Sequence, residues 1–413
     1  MRILYLNPCG QMGGAETSLR ELLASIRAAA PDWELLLALG EDGPLSSRAR
    51  ELGVRVIVMP FPPALAQLGD AKRSRLATCW SLLKAAGATA LYARRLAAII
   101  RSTEPDIVHT NGFKMHLLGA WICSRKTRLV WHIHDYVSTR PLMSRLLRRH
   151  AGRCATAIVN SESVAADLKT LTPELKITTI YNAVDLERFA PTGGEVDLDA
   201  IAGLSGAAAG TVRVGLVGTF ARWKGHEIFL RALSTLSPDA PIRGYVIGGP
   251  IYQTDGSQWS LQELRQEAAR LGLGGRVGFT GFLDDTAAAM RSLDIVVHAS
   301  TQAEPFGMVI IEGMACGRPV IASQCGGAEE IFEDGKEAVG HPPGDAGALA
   351  AQILRLASDK SLRVSLGQEG RAKVERLFNG RRLSREVIAL YNKLAVERDS
   401  AWFLKTEVSA QSD

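Results

Sequence analysis

The chain has 413 residues, 46% of them hydrophobic and 22% charged. That length exceeds one ordinary core and suits two domains, and the composition excludes disordered, collagenous and low-complexity classes. No run of eighteen apolar residues predicts a spanning helix.

The start MRILYLNPCG is too short in its apolar part for a signal peptide and reads as a first strand, so a cytoplasmic protein, at most facing the membrane, is expected. Cys9, Cys79, Cys123, Cys154, Cys316 and Cys325 form no CxxC pair and no zinc spacing, so buried free thiols are expected. The net charge of +5 is uneven: residues 1–190 hold 25 Lys+Arg against 16 Asp+Glu, a balance of +9, and the rest holds 23 against 27, a balance of −4. A basic first half fits acidic ligands, an anionic membrane surface or a plain solvated face.

Along the chain, strand-like runs appear at 3–7, 34–39, 54–59, 106–110, 128–134 and 156–160, with helical patterns at 15–29, 75–101 and 141–151. Such alternation predicts a parallel sheet covered on both faces. Residues 190–211 are rich in Gly and Ala and read as a linker, with Asp197 and Asp199 in a solvated loop. The pattern then restarts, with strands at 212–218, 243–249, 294–300 and 318–323 and helices near 224–236 and 258–271. The expected organisation is an α/β chain of two Rossmann-like domains facing across a cleft: 1–189, a linker at 190–211, 212–381, and a final helix 382–413 packing back on the first domain.

Ligands of such sheets sit at the carboxyl ends of the strands, and the candidate motifs follow strands. NPCGQMGGAE precedes a helix, where Gly13 and Gly14 allow a phosphate or sugar near the helix start, or simply form a tight turn. His132 and His134 in WHIHDY share one face of their strand; a histidine there binds a hydroxyl, shuttles a proton or serves only the core. In VGTFARWKGHE, Arg222 and Lys224 flank a helix start and suit a diphosphate, or form a solvated basic loop.

The stretch EPFGMVIIE sets Glu304 before a helix start and Glu312 more than a turn inside it, with Phe306, Gly307, Met308 and Val309 between. An ionised carboxylate accepts hydrogen bonds only, so it grips a diol. Acceptor, amide cradle and acceptor match hexose hydroxyls, diphosphate and ribose. Helix-dipole stabilisation is the bland reading of Glu304, and it does not explain Glu312 beside Ile310 and Ile311.

Together GGAE, DIVHTNG (106–112), His134–Asp135, YNAVDLERF (181–189), ARWKG, EPFGMVIIEGMACGRPVIAS (304–323) and GGAEEIFEDG (326–335) resemble the retaining glycosyltransferases of family 4, which have the GT-B fold. The resemblance implies that Glu304 meets the donor hexose, Glu312 holds the ribose, and Gly307, Met308 and Val309 bind the diphosphate with Arg222 and Lys224. It also implies that Gly14 closes on the donor, that His134 lies near the reacting carbon, and that Glu330 matches the acid of a GGxxE segment. Many members carry Arg directly after the glycine of the first second-domain strand; here Gly218 is followed by Thr219, which makes Arg222 a less direct match than Lys224.

The implied reaction moves a hexose from a nucleotide diphosphate sugar to a glycan or lipid-linked hydroxyl, with retention and without a metal or other cofactor. Envelope or exopolysaccharide assembly is the implied setting. A same-fold epimerase and a non-catalytic nucleotide-sugar-binding protein are the alternatives. A dehydrogenase lacks its GxGxxG here, and no nucleic-acid partner is expected. Residues 140–153 read as a helix packed on the sheet or, through Arg145, Arg148 and Arg149, as a basic helix on an anionic membrane.

Overall fold

A computed structural model describes residues 1–62, 75–124, 126–250 and 257–410, with no side chains described at 75–85 and 398–410. The Cys79 side chain and residues 251–256 therefore lie outside what is described. The chain divides into two compact units, Met1–Tyr181 with Gly380–Asp413, and Asn182–Asn379.

The first unit is built on β1 (Arg2–Asn7), β2 (Glu34–Leu39), β3 (Arg55–Val58), β4 (Ile107–Asn111), β5 (Arg128–Ile133), β6 (Thr156–Val159) and β7 (Ile177–Thr179). All pair in parallel, in the order β3-β2-β1-β4-β5-β6-β7. Helices α1 (Gly14–Ala29), α2 (Pro44–Glu51), α3 (Arg75–Thr103), α4 (Phe113–Ile122), α5 (Pro141–His150) and α6 (Glu162–Leu171) connect them. Leu4, Leu6, Leu36, Val108, Leu129 and Trp131 are buried in one continuous core. Helices cover both faces of such a sheet, so β1 and β2 read as continuous apolar runs rather than alternating ones, whereas β4 and β5 also bury His109, Thr110, Asn111 and His132 toward their carboxyl ends.

The second unit repeats the plan with β8 (Val212–Val217), β9 (Ile242–Ile247), β10 (Val277–Gly281), β11 (Ile295–His298), β12 (Val320–Ser323) and β13 (Val339–His341), in the order β10-β9-β8-β11-β12-β13. Its helices are α7 (Leu198–Ala202), α8 (His226–Ser234), α9 (Leu261–Arg270), α10 (Thr286–Arg291), α11 (Met308–Ala315), α12 (Ala346–Ser358) and α13 (Lys360–Leu377). The ends of the unit are tied: Val184 N donates to Phe378 O at 2.9 Å, and Arg371 Nη1 donates to the carbonyls of Phe189 and Ala315, both at 2.7 Å. The last helix, α14 (Gly380–Ala410), belongs to the first unit, where it packs on α1 and buries Val387, Tyr391 and Leu394.

Three expectations change. Residues 190–211 are part of the second unit rather than a linker: Leu198 is buried, and Asp199 is buried instead of solvated. Asp199 accepts from Arg243 Nη1 and Tyr245 Oη, at 2.7 and 2.6 Å, pinning α7 to the sheet. Burial opposes its charge, but these partners win and hold its carboxyl down at about 2.

The apolar side of α5 faces inward, burying Ser144 and Leu147 with Met143 and Leu146 against the core. Leu142, Arg145, Arg148 and Arg149 stay exposed, so most of the apolar stripe is unavailable to a membrane. Of the described cysteines, Cys123, Cys154 and Cys316 are buried, whereas Cys9 and Cys325 are partly exposed in loops. No helix among the described residues is long and apolar enough to cross a membrane.

Candidate functional site

Strand order reverses direction between β1 and β4 and again between β8 and β11. Loops leaving the carboxyl ends at such a switch point diverge and open a crevice. Most of the candidate residues lie in these loops or in the one leaving β5.

In the second unit, β8 ends at Val217 and the chain turns through a 3-10 helix at Arg222–Lys224. Gly225 follows with φ 77°, and a Cβ there would sit 1.8 Å from Ala299 O. Only glycine lets this turn press against the end of β11. Thr301 N donates to Trp223 O at 2.7 Å and locks the contact.

Lys224 Nζ therefore reaches Glu304, at 2.8 Å from Oε1 and 2.7 Å from Oε2. Ser300 Oγ donates to Glu304 Oε2 at 2.7 Å, and His298 Nε2 lies 3.2 Å from the same oxygen. Burial alone would raise the Glu304 pKa. The Lys224 charge and the His298 contact outweigh burial and hold the carboxyl far below the usual range. Glu304 is thus a fixed anion in a buried ion pair.

Arg222 leaves the same turn in another direction. Its guanidinium lies 3.9 Å from the centre of the Trp259 ring and bonds Glu263 at 3.0 Å. Lys224 thus pairs with Glu304, while aromatic stacking and a carboxylate hold Arg222.

Gly307 caps α11 with φ 110°. The first amides of a helix lie outside its own hydrogen-bond ladder, so a helix start such as that of α11 favours an anion. Phe306 is 2% exposed and meets the Phe378 ring edge-on, so its side chain anchors the turn. Glu312 is partly buried on α11, where its backbone carbonyl accepts from Cys316 N at 3.1 Å. Burial pushes its pKa up to about 7, against the pull of the Arg188 and Lys224 charges.

Glu330 ends the 3-10 turn Gly327–Glu330. The backbone of this segment flanks Glu304: Gly327 N donates to Glu304 O at 2.7 Å, and Glu304 N to Cys325 O at 3.2 Å. The GGAEE segment thereby fixes the backbone that carries Glu304.

In the first unit, Gly13 is extended, with φ −102°, and Gly14 opens α1. Glu16 Oε2 accepts from Gly13 N at 3.2 Å, so that amide is already used. A Cβ on Gly14 would meet nothing within 4 Å. His134 Nε2 lies 2.9 Å from Asn111 Oδ1, and its ring lies against the His132 ring, centres 4.0 Å apart and planes tilted by 36°. Burial pulls the His134 pKa down to about 4, so its ring is neutral.

Sequence reasoning missed Asn111, His298 and Ser300. All three lie at or just past the carboxyl ends of strands, where ligands of such sheets sit.

Two family models match the chain. One described as Glycosyltransferase Family 4 matches residues 12–188, and one described as Glycosyl transferases group 1 matches residues 211–359. A D-inositol 3-phosphate glycosyltransferase of Corynebacterium urealyticum is 28% identical over 57% of this chain and 56% of its own. A lipopolysaccharide core biosynthesis mannosyltransferase of Rhizobium meliloti is 26% identical over 64% of this chain and 79% of its own. The chain spans about half the length of the inositol-phosphate enzymes it matches. The structure of Anabaena HepE in complex with UDP-glucose is similar with a TM-score of 0.77 at 25% identity, over 95% of this chain and 100% of that one. Sucrose-phosphate synthase of Thermosynechococcus elongatus, at 23% identity, shares the fold with a TM-score of 0.77 over 96% and 99% of the two chains. That fold is GT-B.

Proposed function

We propose that this chain, which belongs to the family 4 glycosyltransferases, moves a hexose from a nucleotide diphosphate sugar to a hydroxyl acceptor with retention at the anomeric carbon. The observation that carries the reading is the largely buried Lys224–Glu304 pair, whose Glu304 lies just before the start of α11 in the chain. A cation and a helix start both stabilise negative charge, which is what a departing diphosphate develops. HepE, solved with UDP, with UDP and glucose and with UDP-glucose, supports a UDP-sugar donor. The lipopolysaccharide relatives support a glycan or lipid-linked acceptor and envelope polysaccharide assembly.

In this reading the C1–O bond to the diphosphate breaks as the acceptor oxygen bonds C1 on the same face. The acceptor's proton passes to the departing phosphate oxygen. Lys224 and the amides at Gly307, Met308 and Val309 stabilise that oxygen, and Arg222 joins them only by leaving Trp259 and Glu263. Glu304 orients the hexose, Glu312 grips the ribose diol, and His134 serves the sugar as a neutral hydrogen-bonding ring. Charge neutralisation is assigned to side chains and amides, so activity is expected to survive chelation by EDTA.

The test is a thermal-shift panel of UDP-, GDP- and ADP-sugars, followed by product analysis. A ligand at a hundredfold its Kd stabilises the fold by about 2.7 kcal/mol. A UDP-sugar is expected to shift the melt, and the product to keep the donor's anomeric configuration. An inverted product refutes the mechanism. Isomerisation of the donor without any acceptor favours an epimerase, and binding without turnover across glycan acceptors favours a binding protein.

A further inference from the structure

The turn after β8 carries two cations, and each is held by one tryptophan ring and one carboxylate. Arg222 has the Trp259 ring at 3.9 Å and Glu263 at 3.0 Å. Lys224 has the Trp223 ring, with Nζ 4.2 Å from the ring centre, and Glu304 at 2.7 Å. The two arrangements differ in burial. The Arg222 and Glu263 side chains are 40% and 43% exposed, those of Lys224 and Glu304 only 23% and 8%. A cation over an indole face gains more where water is excluded, so the Trp223 contact is the stronger of the two. The transfer as described above gives Trp223 no part.

The chain fixes this ring at its base. Trp223 is half-buried, and its carbonyl accepts from Thr301 N at 2.7 Å and from Thr301 Oγ1 at 3.2 Å. Gly225, two residues on, lies against Ala299 O. The backbone on both sides of Lys224 is thus pinned to residues just past β11. The lysine side chain itself is long and rich in rotamers, and its ammonium carries three N–H donors. Its contacts with Glu304 reach both Oε1 and Oε2. A carboxylate alone is a poor anchor for a cation that must also meet a second anion, because it competes for the same donors and offsets the same charge. An indole face attracts an ammonium without neutralising it. That face is the negative side of the ring quadrupole, so it also turns anions away and leaves them to approach from another side.

We propose that Trp223 is the positioning residue of Lys224: its ring is a neutral seat that keeps the ammonium in place while Glu304 and a diphosphate share its N–H groups. The inference rests on the diphosphate reading of Lys224 given above. It adds the group that lets Lys224 serve a second anion without leaving its place beside Glu304.

Calorimetric titration with UDP tests the seat in a double-substitution cycle on the full chain. Trp223→Leu is expected to weaken UDP about tenfold, and Trp223→Phe, which keeps a π face, about twofold. Lys224→Met keeps the stem and removes the charge. In that background Trp223→Leu is expected to cost nothing further, whereas in an Arg222→Met background its loss is expected in full. Melts without ligand establish that each variant is folded. Labelling with 13C-lysine adds a measurement on the wild type: the indole ring current is expected to shift the Lys224 ε-methylene protons upfield, both without UDP and with it. Losses that multiply in the Trp223→Leu, Lys224→Met double variant would overturn the seat. So would undiminished affinity in a folded Trp223→Leu, or an upfield shift that vanishes when UDP binds. Unchanged affinity in Lys224→Met would remove the diphosphate reading itself, and the seat with it.

Discussion

The two units use the same switch-point architecture but finish their strands in opposite electrostatic styles. The first ends in neutral groups: His132, His134 and Asn111, with rings whose pKa values lie well below neutrality. The second ends in fixed charge: Lys224 against Glu304, with His298 and Ser300 in support. Neutral rings suit hydroxyls, where direction matters more than charge. Fixed charge suits a leaving diphosphate, where field strength matters most. A shared strand order, with seven strands in the first unit and six in the second, thus carries two different chemistries at its strand ends.

The contrast predicts where substitutions hurt most. Lys224→Ala is expected to cut kcat by about 10²–10³-fold, the range for losing one group that stabilises transition-state charge. It also leaves Glu304 charged and buried, a loss of about 3 kcal/mol. Steady-state kinetics and urea unfolding read the two effects, and a smaller kinetic loss than for His134→Gln would reverse the contrast.

Gly225→Ala is expected to cost about 3 kcal/mol, because its φ is left-handed and its Cβ meets Ala299 O. Thermal denaturation checks this, and retained wild-type stability would mean that the turn carrying Lys224 is not fixed by this contact.

Glu312→Gln is expected to weaken UDP binding at pH 8 about tenfold, or about 1.4 kcal/mol. The sign of the pH effect follows from the raised pKa. Between the ordinary carboxyl value and about 7, the folded protein holds a proton that the unfolded chain has lost. The contribution of Glu312 to stability is therefore full in acid and declines as pH rises through 7. Gripping a diol needs the ionised form, so nucleotide affinity rises over that same window. Calorimetric titration from pH 6 to 8 should show the rise in the wild type and a flat profile in Glu312→Gln.

The smallest effect is expected at Gly14→Ala, within about 0.5 kcal/mol of wild type, since its surroundings are open. A normal melt with raised KM for the donor would keep Gly14 as a close-approach residue; a normal KM would remove it from the site.

Much of this was legible in the residues. The central strands announced themselves because burial on both faces demands continuous apolar runs. The strands not anticipated, Ile177–Thr179, Val277–Gly281 and Val339–His341, are all sheet edges, where fewer neighbours permit short and mixed sequences. Gly307 and Lys224 were readable from local chemistry. The partners of Glu304 and His134 were not, because His298, Ser300 and Asn111 gain meaning only once parallel strands bring them together. Asp199 was misread for a related reason: an acidic residue in a Gly/Ala-rich stretch looks solvated until Arg243 and Tyr245 arrive from 44 and 46 residues away. Arg222 shows the reverse limit, since the chain between it and Trp259 hides a stacking partner.

The tie between Val184 and Phe378 has a consequence for how such chains diversify. The whole second unit enters and leaves the polypeptide at one seam, like a cassette clipped into a host gene. Recombination that respects this seam would exchange the second unit in a single event and leave the host's own sheet and its closing helix uncut.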